Sequence, residues 1–134
     1  MYLVDTNVWL EVLLEQEHHK DAYEFLTKTE SSSLFITDFT VYSIGIILTR
    51  LKKPALLKKF YRDVFLETNV RLIRLLPSDL EDITKNSGKY GLDFDDAFQY
   101  TAAEKFKLAI VSFDDDFDGT ELGRKTPTKK MGGS

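Results

Sequence analysis

The sequence predicts an α/β fold: a three-layer α/β/α sandwich in which helices cover both faces of a central, mostly parallel sheet of four to five strands. Short apolar segments alternate along the chain with longer segments whose apolar residues recur at helical spacing. No repeat or interdomain linker interrupts this alternation. Strands that are joined through helices run parallel and are buried on both faces, which explains why they are apolar throughout.

The length of 134 residues fits one domain, and hydrophobic residues, at 43%, are enough for a sizeable core. We expect residues 1–125 to form that single domain. Residues 126–134 then form a basic tail or a short edge strand near Thr126–Lys129. The last three residues, Gly132–Ser134, are typical of an artificially added segment.

The first half of the chain contains two predicted strands, each followed by helix. Tyr2–Asp5 is a short apolar strand that ends on an aspartate, and Thr6–Leu14 is the helix after it. His18–Thr29 has apolar residues on one helical face. Leu34–Thr37 is the second strand. Phe39–Arg50 is a helix that is apolar nearly all round, so we expect it to be buried or to lie at a subunit interface.

The middle of the chain continues this pattern. Pro54 suits the first turn of a helix, because proline lacks the N–H group that would be unpaired there. Val70–Leu76 is the third predicted strand. Ser78 and Glu81 have the spacing of a capping box, which predicts a helix over Asp79–Asn86.

The last predicted elements follow a turn at residues 86–91, "NSGKYG". Phe94–Phe106 is a helix, and we expect Phe94 and Ala97 to belong to the face that meets the core. Leu108–Ser112 is the fourth strand.

Composition limits the kinds of covalent cross-link and metal site that this chain can form. There is no cysteine, which excludes disulfides and thiolate metal sites. His18 and His19 are adjacent, so no spaced zinc pattern exists, and any metal site must use oxygen ligands. The N-terminus lacks the features of a signal peptide, and no apolar stretch is long enough to span a bilayer. We therefore expect a cytoplasmic protein that does not contact the membrane.

Charge is unevenly distributed along the chain. The formal net charge of −4 is not typical of a nucleic-acid binder. Acids crowd into residues 93–96 and 114–118, and bases into residues 50–62 and 124–130. Concentrated acids with separate basic patches are compatible with a metal-dependent enzyme that acts on a polyanion. A basic patch alone is equally compatible with an ordinary solvated surface.

Three acids follow predicted strands. Asp5 ends the first strand, Asp38 follows the second and Asp114 follows the fourth. Because the carboxyl ends of parallel strands share one edge of a sheet, and ligands bind beyond that edge, we expect these acids to lie near one another. Each has an ordinary alternative: Asp5 alone fits a helix cap, and residues 114–116 alone fit a solvated turn.

The first turn of the last helix adds more carboxylates. Asp93 fits a helix N-cap better than a ligand, whereas Asp96 should point toward the same sheet edge. Clustered carboxylates repel one another unless a cation neutralises them. Magnesium and manganese prefer oxygen ligands, and one or two such ions activate water and stabilise a phosphodiester's leaving oxygen. Thr6, Asn7 and Ser112 are placed to orient carboxylates or water.

Three segments together resemble the signature blocks of the PIN domain family. They are "LVDTNVWL" at residues 3–10, "DFDDAFQYTAA" at 93–103 and "AIVSFDDDF" at 109–117. Each block is weak alone, but their order and spacing in a chain of this length make a specific pattern. The segment "ITDFTVYSIGIIL" at residues 36–48 takes the place of the remaining block.

The resemblance implies a fold, an activity and site residues. PIN domains are α/β/α sandwiches, and many are magnesium- or manganese-dependent ribonucleases, including the VapC-type toxins of toxin–antitoxin pairs. By resemblance, Asp5 and Asp96 are the main metal ligands and Asp114 completes the site. Asp116 is a secondary acid beside it, and Ser112 takes the place of the family's threonine or serine.

One position departs from the family pattern. The glutamate usually present on the helix after the second strand is replaced by Ser43, which carries no negative charge. Asp38, Asp93 or Asp116 are the acids available to compensate. A weaker metal site, a single-ion site and a lost activity all remain open, and a small residue in a closely packed helix is the ordinary explanation of Ser43.

Two functions follow from this sequence. The first is a metal-dependent endoribonuclease acting on RNA, the toxin of a toxin–antitoxin pair held by a cognate antitoxin. The second is a catalytically weakened or inactive PIN-like module that binds RNA or a protein partner. Either is compatible with a homodimer formed through Tyr42, Ile46 and Ile47 on the apolar helix. An aspartate-nucleophile phosphatase is disfavoured, because Asn7 stands where its second aspartate belongs.

Overall fold

The computed structural model describes residues 1–128. Four short strands form its central sheet: β1 (Tyr2–Val4), β2 (Leu34–Thr37), β3 (Arg71–Ile73) and β4 (Ala109–Val111). The strand order is β3-β2-β1-β4, and every neighbouring pair is parallel. The predicted parallel sheet is confirmed, although the third strand is shorter than Val70–Leu76.

Helices connect all the strands. Their bounds are α1 Thr6–Leu13, α2 His19–Lys28, α3 Asp38–Arg50, α4 Pro54–Tyr61, α5 Leu80–Tyr90 and α6 Phe94–Phe106. A π-helical turn at Arg62–Leu66 follows α4 directly. Short 3-10 turns occur at Ser31–Ser33, Pro77–Asp79 and Asp115–Phe117. Within residues 1–128, none of the helices has the length and apolar character needed to cross a membrane.

The sheet separates two apolar clusters, which gives the three layers. Leu3 and Val4 are adjacent on β1 and fully buried, but they belong to different clusters because successive strand residues face opposite sides. Leu3 packs with residues of α5 and α6. Val4 packs with residues of α1 to α4. The predicted α/β sandwich with helices on both faces is therefore confirmed.

The predicted turn at residues 86–91 is wrong, because α5 continues through it to Tyr90. Two contacts with α6 hold this extra turn: Tyr90 packs on Tyr100 with ring centroids 5.1 Å apart, and Asn86 donates to the Thr101 hydroxyl at 3.0 Å. The helix ends at Gly91, whose φ of 67° is left-handed. Tertiary packing has outweighed the local turn signal.

Two other local predictions need correction. The Ser78 capping box is wrong: the Asp79 carboxylate accepts from the Leu76 N–H at 2.6 Å, and the helix follows a 3-10 turn. Phe94 does not face the core, because it is 50% exposed and packs at the surface with neighbouring phenylalanines.

One bridge lies just before the predicted C-terminal segment. Lys125 forms a single parallel bridge with Val111 at the free edge of β4. No strand is present over residues 126–128, and the remainder of Thr126–Lys129 and all of Gly132–Ser134 lie outside the described residues.

The two glycines near the end of α5 give a test of its extent. Gly88 lies inside the helix with nothing within 4 Å of an added Cβ, whereas Gly91 occupies the left-handed cap. We expect Gly88→Ala to stabilise the protein by about 0.5–1 kcal/mol, because alanine loses less backbone entropy. We expect Gly91→Ala to destabilise it by about 1 kcal/mol, because Cβ strains that conformation. Urea unfolding of both variants checks this, and destabilisation by Gly88→Ala would contradict the helix assignment.

Candidate metal centre at the carboxyl edge of the sheet

Asp5 stands where β1 leaves the sheet. Its N–H donates to the Val111 carbonyl at 2.9 Å, which extends the pairing of β1 with β4 by one residue. Its side chain accepts from the Thr6 N–H at 2.8 Å, so it also caps α1. Asp5 therefore has both predicted roles: it is a helix cap, and it lies at the sheet edge.

The Asp5 carboxylate is buried, with 6% of the residue exposed, and receives hydrogen bonds on both oxygens. Oδ1 accepts from Gln99 Nε2 at 3.0 Å as well as from Thr6. Oδ2 accepts from the Ser112 hydroxyl at 2.7 Å and, more weakly, from Asn7 Nδ2 at 3.4 Å. Burial raises the pKa of Asp5, and the Gln99 and Ser112 hydrogen bonds oppose that rise.

Asn7 and Ser112 tie the end of β1 to the segment after β4. Asn7 Nδ2 donates to Ser112 Oγ at 3.0 Å, and Asn7 Oδ1 accepts from the Phe113 N–H at 3.1 Å. Ser112 Oγ in turn accepts from the Asp114 N–H at 2.9 Å. These contacts fix the backbone that carries Asp114, and they match the orienting role predicted for both polar residues.

Asp96 reaches the same edge from the first turn of α6. The Asp93 carboxylate accepts from the Asp96 N–H at 3.0 Å, so Asp93 is the N-cap that the sequence suggested. Asp96 is 8% exposed. Burial, together with the charges of Asp114 and Asp93, raises the pKa of Asp96 to about 8.

Three carboxylates come close enough to share an ion. One oxygen each from Asp96, Asp114 and Asp116 lies within 4.8 Å of the others. The donor set consists only of oxygen, which suits Mg²⁺ or Mn²⁺ rather than a softer metal. Burial first, and then the neighbouring carboxylates, raise the pKa of Asp96, and a bound divalent cation would oppose that rise. The residues present therefore fit such an ion.

An open cavity of about 330 Å³ lies in front of these acids. It is lined by Asp5, Thr6, Asn7, Leu10, Phe39, Ser43, Ile46, Ile47, Asp95, Asp96, Gln99 and Asp114. Six of the ten residues that the sequence singled out thus share one cavity: Asp5, Thr6, Asn7, Ser43, Asp96 and Asp114.

The position of Ser43 matters most among the remaining candidates. Ser43 lines the cavity from α3, and the one acidic residue of that helix is Asp38. Asp38 does not line the cavity, and its carboxylate accepts from the Phe39 N–H at 2.9 Å. The arrangement offers no support for compensation by Asp38, and Asp116 is better placed for it.

Sequence reasoning missed Gln99, Thr37 and Thr40, which form a buried polar group behind Asp5. All three are at most 2% exposed. Gln99 donates to Asp5 and to Thr40 Oγ1, and it accepts from Thr37 Oγ1. The one available signal was a polar residue three positions after Asp96, which places it on the same helical face as Asp96.

Comparison with known proteins identifies the family. The family model described as "PIN domain" matches residues 2–121, which is most of the chain. No match was found among curated proteins.

Several solved structures share this fold. A toxin–antitoxin complex from Klebsiella pneumoniae has a TM-score of 0.76 at 16% identity, covering 96% of this chain and 99% of that one. The Mycobacterium tuberculosis toxin VapC20, which cleaves the sarcin–ricin loop, has a TM-score of 0.77 at 17% identity, covering 91% and 96%. FitAcB from Neisseria gonorrhoeae has a TM-score of 0.72 at 18% identity, covering 95% and 98%. At these identities the likeness establishes the fold.

The raised pKa of Asp96 predicts how stability depends on pH. Without metal, the folded state keeps a proton on Asp96 up to about pH 8, whereas the unfolded chain releases it near its ordinary value of 3.8. The stabilisation from this proton is complete below about pH 4 and is lost as pH rises toward 8. We expect the melting temperature of the metal-free protein to fall by several degrees between pH 5 and pH 8.5.

Asp96→Asn should reduce this pH dependence, leaving the part that comes from the raised pKa of Asp5, and should melt higher than wild type at pH 8. Asp95→Asn is the matched control, because Asp95 lies in the same helical turn but is exposed. Differential scanning calorimetry in chelator makes the measurement. If the melting temperatures of wild type and Asp96→Asn depended equally on pH, the raised pKa assigned to Asp96 would be contradicted.

Proposed function

Because the chain belongs to the PIN domain family, we propose that it is a metal-dependent endoribonuclease that hydrolyses RNA phosphodiester bonds. The observation that carries this proposal is the meeting of Asp96, Asp114 and Asp116 within 4.8 Å, at a cavity that Asp5 also lines. Asp96 comes from α6, Asp114 and Asp116 from the segment after β4, and Asp5 from the end of β1. A bound cation would offset their mutual repulsion.

The proposed cofactor is Mg²⁺ or Mn²⁺, as one or two ions. Asp5, Asp96 and Asp114 would hold it, with Asp116 as a further ligand. When bound, such an ion lowers the pKa of water and stabilises charge that develops on phosphate. Ser112 and Asn7 keep Asp5 and the Asp114 backbone in place, so that little reorganisation is needed when the cation and the substrate arrive.

RNA binding is assigned to exposed basic residues. Lys52, Lys53 and Lys58 are exposed at the junction of α3 and α4. Lys59 and Arg124 each pair with a carboxylate and are less available. Phosphate contacts of this kind make affinity fall steeply with salt. The acid cavity itself repels a polyanion until a cation is bound, which makes separate basic contacts necessary.

The proposed biological setting is a cytoplasmic toxin restrained by a cognate antitoxin protein. Structures of the same fold described as a toxin–antitoxin complex and as an RNA-cleaving toxin support this setting. We also propose a homodimer through α3, because Tyr42 is 64% exposed and Ile46 52% exposed on one apolar face.

A second function is favoured by one observation. Ser43 lines the cavity, and the resemblance to PIN domains implies a glutamate at this position. The alternative is a weakened or inactive PIN-like module that binds RNA or a protein partner.

Removal of the Asp5 charge tests the enzymatic proposal. We expect Asp5→Asn to lower RNA cleavage in Mn²⁺ roughly 100-fold or more, because each 1.36 kcal/mol of lost transition-state stabilisation is about tenfold in rate. Circular dichroism should show a folded variant. Asp82→Asn, an exposed acid on α5, is the control and should cleave normally. Full cleavage by Asp5→Asn would refute the assignment.

Restoring the missing acid separates the two functions. If the chain is a weakened module, Ser43→Glu should create or increase Mn²⁺-dependent cleavage by about tenfold or more, since a further ligand strengthens the centre. Ser43→Gln has the same length without the charge and should leave cleavage unchanged. A wild type that already cleaves at least as fast as Ser43→Glu would count against the weakened module.

The dimer proposal is tested by sedimentation. At micromolar concentration we expect a mass twice that of the 15.4-kDa chain. Ile46→Lys should give a monomer, because it places a charge on the apolar face, whereas Lys58→Glu on α4 should remain dimeric. A monomeric wild type would exclude this interface at working concentrations.

A further inference from the structure

We propose that Gln99 is a positioning residue that fixes the Asp5 carboxylate, through a directional hydrogen-bond chain that begins at Thr37. The inference deepens the proposed function, on which it rests for the role of Asp5 as a ligand. Gln99 is 2% exposed and lies on α6, one turn beyond Asp96. Its amide joins the ends of β1 and β2 to the start of α3.

The neighbours of Gln99 determine the orientation of its amide. Oε1 accepts from the Thr37 hydroxyl at 2.8 Å, and Nε2 donates to Asp5 Oδ1 at 3.0 Å. The flipped amide would place Oε1 against the carboxylate, with two acceptors facing each other. Thr37 itself is held in place, because its hydroxyl accepts from the Thr40 N–H at 3.0 Å as the N-cap of α3.

The same amide also contacts a second buried hydroxyl, that of Thr40. Nε2 also donates to Thr40 Oγ1 at 2.9 Å. Thr40 Oγ1 and Thr6 Oγ1 are 2.8 Å apart. Either hydroxyl can donate in that contact, and Thr37 Oγ1 also lies 3.2 Å from Thr40 Oγ1. Gln99 is thus linked through Thr40 to Thr6, which lines the cavity.

A comparable amide elsewhere gives a matched control. Asn86 is 5% exposed, and its Nδ2 donates to Thr101 Oγ1 at 3.0 Å between α5 and α6. Asn86 does not line the cavity and does not contact Asp5. Replacement of either amide by an apolar side chain of similar length removes one hydrogen bond from a buried hydroxyl, so both changes should cost stability. Only the change at Gln99 should alter the metal centre.

The first experiment measures Mn²⁺ binding to the full chain by calorimetry and by electron paramagnetic resonance, without RNA. We expect Gln99→Met to weaken Mn²⁺ binding about 10- to 100-fold, the usual loss when a residue that orients a ligand is removed. Asn86→Leu should lower the melting temperature but keep wild-type affinity. Unchanged affinity in Gln99→Met, or an equal loss in Asn86→Leu, would overturn the proposal.

The second experiment needs neither metal nor a stable Gln99 variant. In the metal-free protein, the Gln99 side-chain amide should exchange slowly with solvent and should shift in ¹⁵N spectra of Asp5→Asn, but not in spectra of Asp82→Asn. A fast-exchanging amide that does not respond to Asp5→Asn would overturn the positioning contact. A wild type that binds no Mn²⁺ while this contact persists would refute the proposed metal chemistry and leave the positioning contact established.

Discussion

A buried carboxylate at the end of β1 is the constraint around which the carboxyl edge of the sheet is built. An anion with 6% exposure needs donors, since protein interior replaces the water that would otherwise solvate it. Asp5 obtains them from Gln99, 94 residues away, and from Ser112, 107 residues away. The segments that carry these donors must therefore meet at Asp5, and they bring Asp96 and Asp114 with them.

The meeting of these acids costs stability, and the fold offsets that cost elsewhere. Two apolar clusters, one on each face of the sheet, hold the strands from which the acids project. The positive end of the α6 dipole lies at Asp96 and reduces the repulsion there. Burial and the neighbouring carboxylates still raise the pKa of Asp96, so the dipole offsets only part of this cost. In the proposed function, a bound cation would offset the rest.

The third helix connects the two electrostatic regions of the molecule. It begins at Asp38, beside the acid cavity, and ends at Arg50, next to the exposed lysines that precede α4. Its 13 residues span about 20 Å. In the proposed function, an RNA held at the basic end would approach the acids with only part of its length. The exposed apolar face of α3 lies between these regions, so a partner seated there would also border the cavity.

The sequence alone determined the fold class. The spacing of apolar residues that distinguishes a strand from a helix is a local property, and packing seldom changes it where strands and helices alternate regularly. Topology then placed Asp5, Asp114 and Asp96 at one edge, and the cap role of Asp93 followed from its position before α6. The end of α5 was decided by packing, since Tyr90 and Asn86 form contacts with α6 that outweigh the turn preference of Gly88. Tertiary structure also decided the hydrogen bonds of Gln99 with Thr37 and Thr40. Their hydrogen bonds join residues 62 and 59 positions apart, and no local pattern encodes a pairing that depends on how the strands and helices come together.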